Sequence, residues 1–222
     1  MPRDHAPVTV DRLRVIYLAR RNEIRARLTE FTEVWHTASD ARLWEEMVFC
    51  IFTAGASAKM GLRAVEAVRP LLKTGRQKTM TRALVEAGAH RFPNARPEYI
   101  VITREYLRRS FSMRLRERLE SFRDASERRD WLAQDPRIKG LGYKEASHFL
   151  RNVGFKGYGI LDKHVVQCLA EMGVIKSAMP PTNRKNYLET EARMREFAKQ
   201  VGIDFDELDL VLWSMKTGEV LK

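Results

Sequence analysis

The chain has 222 residues, 44% of them hydrophobic, and carries 40 Lys and Arg against 29 Asp and Glu, for a formal net charge of +11. That length can bury a sizeable core as one domain or as two small lobes. The charge points to a polyanionic partner, nucleic acid ahead of an acidic membrane surface, and says nothing about base sequence. The only cysteines, Cys50 and Cys168, supply neither a disulfide framework nor an iron–sulfur ligand set. Met1 to Val10 is polar and holds Pro2 and Pro7, unlike a signal peptide. No apolar run approaches the roughly 20 residues of a membrane span. These features predict an intracellular protein of the cytoplasm or nucleoid, with no membrane partner.

Val10 to Trp35 reads as one long helix, with Leu13, Ile16, Tyr17, Ile24, Leu28 and Phe31 at helical spacing and arginines opposite. Ser39 is placed to cap the next helix. Leu43 to Thr53 is apolar on nearly all sides, which predicts a helix buried all round, with Cys50 as a small core residue. Ala54 to Ala58 is a small-residue turn, either a close-approach point for DNA or a helix–helix corner. Met60 to Leu72 is a further helix, strained or ended by Pro70, and Thr79 to Ala87 a short one closed by Gly88. The loop His90 to Pro97 offers Arg91, Phe92 and Arg96 to a partner, and Pro97 opens the helix that follows. Phe111 to Phe122 is basic with ridges at Leu115 and Leu119, and Ser126 caps a short helix through Leu132. Val165 to Met172 is helical and ends at Gly173. Arg184 to Val201 is helical, and Asp204 with Glu207 forms a capping box for Phe205 to Met215. No strand alternation of useful length and no internal repeat is present. The fold class is all-α.

Asp135 to Val165 organises the chain. Its first half reads as short helix, Gly-Leu-Gly turn, second helix. Gly140 and Gly142 suit a tight backbone reversal with positive φ. Lys144 then falls in the first turn of a helix whose Ala146, Phe149, Leu150 and Val153 make a buried face. Amide groups at such a helix start can hold a phosphate without reading a base. Asp162 follows a turn rich in glycine (Gly154, Gly157, Gly159) and precedes Val165, Val166 and Leu169, which makes it a helix N-cap. A lysine and an aspartate 18 residues apart thus each stand at a helix start.

This pattern, Gly-x-Gly-x-Lys followed by Asp-x-His, resembles the helix-hairpin-helix DNA glycosylases that also cleave the strand. Within that superfamily the chain is most similar to the small 8-oxoguanine DNA glycosylase/lyases of archaea and bacteria. The short length, Ser147 to Gly154 after the lysine, and a terminal lysine nine residues past Trp213 favour that branch. The resemblance implies a helix-hairpin-helix fold with two helical lobes and a cleft between them. A six-helix barrel would span 39–155, with its hairpin at about 135–153. Residues 1–38 and 156–222 would form the second lobe.

It also implies the chemistry. A lysine amine attacks the sugar C1′, expels the base and leaves an imine; loss of a C2′ proton then breaks the 3′ C–O bond. Free lysine titrates near ~10.4, so Lys144 is expected to be activated by burial and by the positive end of its helix. Asp162 would help deprotonate the amine and stabilise charge on the sugar. Gly140 and Gly142 would contact the DNA backbone, with no cofactor beyond a monovalent cation bridging hairpin carbonyls and phosphate, and no metal in the chemistry. His164 would bond a phosphate beside Asp162, or else serve as a partly buried structural residue; His148 is expected to pack. Chemistry on a base requires flipping it from the stack. Trp213 would stack on that purine, and the terminal carboxylate of Lys222 would accept the N7–H that 8-oxoguanine has and guanine lacks. Read from the residues alone, Trp213 fits the core equally well and Lys222 a frayed end.

The expected function is base excision repair on double-stranded DNA containing an oxidised base, by a monomeric 8-oxoguanine glycosylase with abasic-site lyase activity. Two alternatives stand beside it: a lyase-competent glycosylase for another oxidised base, and a non-catalytic helix-hairpin-helix DNA-binding protein.

Overall fold

The computed structural model describes residues 7–221. Among these, helices run in the order α1 (Val10–Thr37), α2 (Asp40–Thr53), α3 (Ala58–Val68), α4 (Gln77–Glu86), α5 (Ala95–Phe111), α6 (Leu115–Glu120), α7 (Ala125–Gln134), α8 (Tyr143–Asn152), α9 (Lys163–Glu171), α10 (Arg184–Val201) and α11 (Phe205–Thr217), with a 3-10 turn at Arg69–Leu71. No strand occurs among the described residues. No helix there is long and apolar enough to cross a membrane. The chain divides into two compact units: Val34–Val153, and the chain ends up to Glu33 and from Gly154 onward.

The continuous unit is built around α2. Ser39 starts that helix by accepting the Arg42 amide. Every residue from Leu43 to Thr53 except Glu45 is buried, as the apolar run predicts. Glu46 is buried with them and paired with Arg42 at 2.6 Å. α2 packs against α3, α5, α6 and α8. The approach of α3 is close because Gly61 has no side chain; a Cβ there would lie 2.7 Å from Thr53 Cγ2. Trp44 Nε1 and Arg104 both donate to the Leu72 carbonyl, which fastens the start of the loop between the 3-10 turn and α4 to the core.

In the discontinuous unit α11 packs against α9 and α10. Leu208, Leu210, Val211 and Leu212 are all buried there. Cys168 is buried too, and its thiol donates to the Leu212 carbonyl at 3.5 Å. Burial pushes that thiol up to about 12, so it is an inert core group.

Four local expectations change. The α7 cap is Asp124, whose carboxylate accepts Ser126 N and Glu127 N, and Ser126 lies inside the first turn. The helix expected at Asp135 lies earlier, as α7. Asp135 instead folds into a turn in which its side chain accepts Arg137 N at 3.0 Å, and Pro136 follows it. Gly140 has φ +81, but Gly142 is extended at φ −92, so one glycine rather than two needs the left-handed region. The capping box on α11 is half made: Asp204 accepts Asp206 N and Glu207 N, whereas Glu207 turns away to accept Tyr17 Oη at 2.6 Å and Arg25 Nε at 2.8 Å.

Candidate active site

The predicted residues fall into two groups, one on each unit. Gly140, Gly142 and Lys144 share the hairpin between α7 and α8. Asp162 and His164 share the start of α9. Trp213 stands on α11, half-buried, and Lys222 lies outside the described residues.

The hairpin is held mainly by fit. Lys139 N donates to Thr103 Oγ1 at 2.9 Å, which ties the approach to α5. Gly140 then passes so close to the core that a Cβ would lie 2.9 Å from Tyr99 Cδ2 and 3.1 Å from Ile51 Cγ2. Leu141 is buried, and exposed Gly142 begins α8 with no side-chain cap. The first-turn amides of α8 therefore lack a capping side chain, the arrangement that accepts an anion. A groove of about 460 Å³ runs between Tyr99 and Ile102 on one side and Lys139 to Gly142 on the other.

Lys144 follows in that same turn, with its side chain 26% exposed. Its Nζ lies 2.8 Å from Glu145 Oε1. The amine is thus tethered by an ion pair and only partly buried, where burial is the expectation. Glu145 was not apparent from the sequence, since neighbours on a helix normally point apart. His148, a turn further on, is buried with its ring edge-on to Phe49. Arg151 is buried as well.

Beside the hairpin, Gly55 takes φ +73, and a Cβ there would lie 3.3 Å from an Arg91 nitrogen. Arg96 donates to the Ala54 carbonyl at 2.6 Å, with its guanidinium over the rings of Phe92 and Tyr99. His90 bonds the Phe52 carbonyl through Nε2 at 2.8 Å and accepts Phe92 N through Nδ1 at 3.0 Å. Those partners require the tautomer with its proton on Nε2, and burial lowers the imidazole's pKa. The small-residue turn and the Arg91–Arg96 loop, separate in sequence, form one surface with Phe92 41% exposed.

On the other unit, Asp162 caps α9: its Oδ1 accepts His164 N at 2.8 Å and Val165 N at 2.9 Å. The loop that delivers it is gripped by side chains of α10 and α11. Gly157 N donates to Asp206, Gly159 N to Glu191 and Ile160 N to Asp209, at 2.8–2.9 Å. Tyr187 Oη accepts Leu161 N and donates to the Gly159 carbonyl. These carboxylates went unread in the sequence. The available signal was Asp206 and Asp209 at i and i+3, on either side of Leu208 and just ahead of the apolar run Leu210 to Trp213.

The family model described as 8-oxoguanine DNA glycosylase matches residues 24–203. The chain belongs to that family. It is 40% identical over 202 residues to the 8-oxoguanine DNA glycosylase/AP lyase of Korarchaeum cryptofilum, covering 91% of each chain. It is 35% identical to that of Methanocaldococcus jannaschii over 90% of this chain and 91% of that one. Among solved structures, the M. jannaschii glycosylase/lyase in complex with a 15mer DNA containing 8-oxoguanine superposes with a TM-score of 0.86. The identity is 32%, over 96% of this chain and 99% of that one. The Thermotoga maritima 8-oxoguanine DNA glycosylase gives a TM-score of 0.84 at 31% identity, over 96% and 98%. The fold is the helix-hairpin-helix glycosylase fold, as the hairpin motif predicts.

Proposed function

We propose that the protein excises 8-oxoguanine from duplex DNA and cleaves the resulting abasic site, as a base excision repair enzyme with Lys144 as nucleophile. One observation carries the reading. In a family member alike over nearly its whole length to an enzyme crystallised on 8-oxoguanine DNA, Lys144 stands in the first turn of an uncapped helix directly after the Gly140–Gly142 turn.

The hairpin amides hold a phosphate and the charge-dense DNA follows the basic surface. Lys144 Nζ leaves Glu145, gives up a proton and attacks C1′, and the base departs with the C1′–N9 electron pair. The joined nitrogen then loses its second proton, the C1′–O4′ bond opens with O4′ taking up a proton, and an iminium is left. This loses a C2′ proton, and the 3′ C–O bond breaks with the 3′ phosphate departing. Asp162 stabilises the cationic sugar in the first step. Carbonyl oxygens of the 135–142 turn are the donors that a monovalent cation bridging to phosphate would use. His164 contacts phosphate beside Asp162. Trp213 and the terminal carboxylate of Lys222 read the flipped purine. The protein acts as a monomer inside the cell.

The test is single-turnover excision on an 8-oxoguanine:cytosine duplex, with oxidised-pyrimidine and undamaged duplexes alongside. Preferential release of 8-oxoguanine with strand cleavage, both lost in Lys144→Gln, is the expected result. Equal activity on all duplexes, or unchanged activity in Lys144→Gln, would overturn the assignment.

A further inference from the structure

The segment from Gly157 to Asp162 is irregular loop, neither helix nor strand, and its backbone groups must be paired by something other than regular secondary structure. Side chains do it. Asp206 Oδ1 accepts Gly157 N at 2.9 Å, Glu191 Oε1 accepts Gly159 N at 2.8 Å and Asp209 Oδ1 accepts Ile160 N at 2.9 Å. Tyr187 Oη accepts Leu161 N at 3.2 Å and donates to the Gly159 carbonyl at 2.7 Å. All four side chains are at least nine-tenths buried, Asp209 and Tyr187 almost completely. A carboxylate accepting an amide proton in such a place makes a stronger and shorter hydrogen bond than a neutral amide would.

The grip continues up to Asp162. Ile160 has its N–H fixed by Asp209, and its carbonyl accepts Asp162 N at 2.8 Å. The peptide groups on both sides of Ile160 are therefore set, and they set the direction in which Asp162 leaves the loop. Gly159 packs closely against α10 and α11: a Cβ there would lie 3.1 Å from Phe205 Cζ and 3.4 Å from Glu191 Cγ. A helix cap needs only a carboxylate at the right place and none of this scaffolding. A group that must meet a developing charge needs its position held to within a fraction of an ångström.

We infer that Asp209 is a positioning residue for Asp162, acting through the Ile160 peptide, with Tyr187 as a second and weaker support. The inference rests on the assignment of Asp162 to the excision step. Asp209 touches neither substrate nor the reacting atoms.

The test is a double-mutant cycle read in single-turnover 8-oxoguanine excision, with duplex affinity measured in parallel. Asp209→Ala is expected to slow excision roughly 10- to 100-fold while leaving duplex affinity unchanged. Asp209→Asn, which keeps the Oδ1 acceptor, is expected to restore the rate to within about threefold. In an Asp162→Asn background Asp209→Ala is expected to have no further effect, because the group it positions is gone. Should Asp209→Ala fail to fold, Tyr187→Phe removes a single hydroxyl and must show the same pattern at smaller amplitude. An equal loss in both backgrounds, or no loss in the wild-type background, overturns the inference. If Asp162→Asn itself excises at the wild-type rate, the assignment of Asp162 fails instead, and the two failures are told apart in one experiment.

Discussion

The hairpin before Lys144 and the loop before Asp162 do the same job, presenting one polar side chain at the start of a helix, by opposite means. The hairpin is positioned by shape: Gly140 is wedged against Tyr99 and Ile51 at a positive φ, where a Cβ would be strained and crowded. The loop is positioned by polar grip, with Asp206, Glu191, Asp209 and Tyr187 bonding its main chain. The contrast suits the tasks. A hairpin proposed to hold a phosphate needs the first-turn amides of α8 uncapped, and here they carry no capping side chain, although Lys139 N before the turn is bonded to Thr103. The Asp162 loop has no such role in the proposed chemistry, and the amides of Gly157, Gly159, Ile160 and Leu161 are all taken by side chains. The lesson is that a site residue's supports are chosen by what the surrounding backbone must keep available.

The largest expected effect breaks the polar side. Asp162→Asn should slow excision by about 10²–10³-fold with folding stability unchanged, since Asn caps a helix as well as Asp. Asp162→Ala should add a stability loss of about 1 kcal/mol. Single-turnover kinetics and urea unfolding of both variants separate chemistry from capping; equal stability losses in the two would show that the carboxylate charge, not the cap, holds the fold.

Next in size is the steric side. Gly140→Ala should cost about 2–4 kcal/mol, from a left-handed backbone carrying a Cβ and from overpacking against Tyr99. Duplex affinity should fall with it, because the hairpin amides move. A variant of unchanged stability and affinity would refute the account of the hairpin as held by fit.

The smallest effect sharpens the comparison by probing the polar contact the hairpin does use. Asp135 accepts Arg137 Nε at 2.9 Å and Tyr106 Oη at 2.8 Å, and Tyr106 in turn accepts Trp131 Nε1. The Arg137 guanidinium foremost holds this carboxyl down at about 2, against its ordinary 3.8. A depressed folded-state value means the stabilisation is present above the ordinary value and is lost as pH falls through about 2. Asp135→Asn should therefore cost about 1–2 kcal/mol at pH 7, nearer the lower figure because Arg137 is exposed to water, and almost nothing near pH 2. Unfolding free energies across that range check the sign; a cost independent of pH would contradict it.

What the sequence could disclose follows the same division. Steric devices leave a mark, since the positive φ and close packing at Gly140 favour glycine, and the cap at Asp162 shows through the apolar run behind it. Helix α2 was readable because burial on all sides leaves no polar face to confuse the pattern. The carboxylates that grip the Asp162 loop were not readable, because they sit 29 to 47 residues downstream of Asp162 and look like ordinary acids on helices. Glu145 escaped because adjacent helical residues seldom meet, and Asp124 because Ser126, two residues on, offers an equally good capping pattern. The His90 contacts depend on which loops come together, which no local pattern encodes.

The central claim is that Lys144 becomes covalently joined to the sugar. Borohydride reduction during turnover of an 8-oxoguanine:cytosine duplex should trap one protein–DNA adduct, and peptide mapping should place it on Lys144. Trapping should disappear in Lys144→Gln while the variant still binds the duplex. An adduct on another lysine, or no adduct alongside normal base release, would contradict the account.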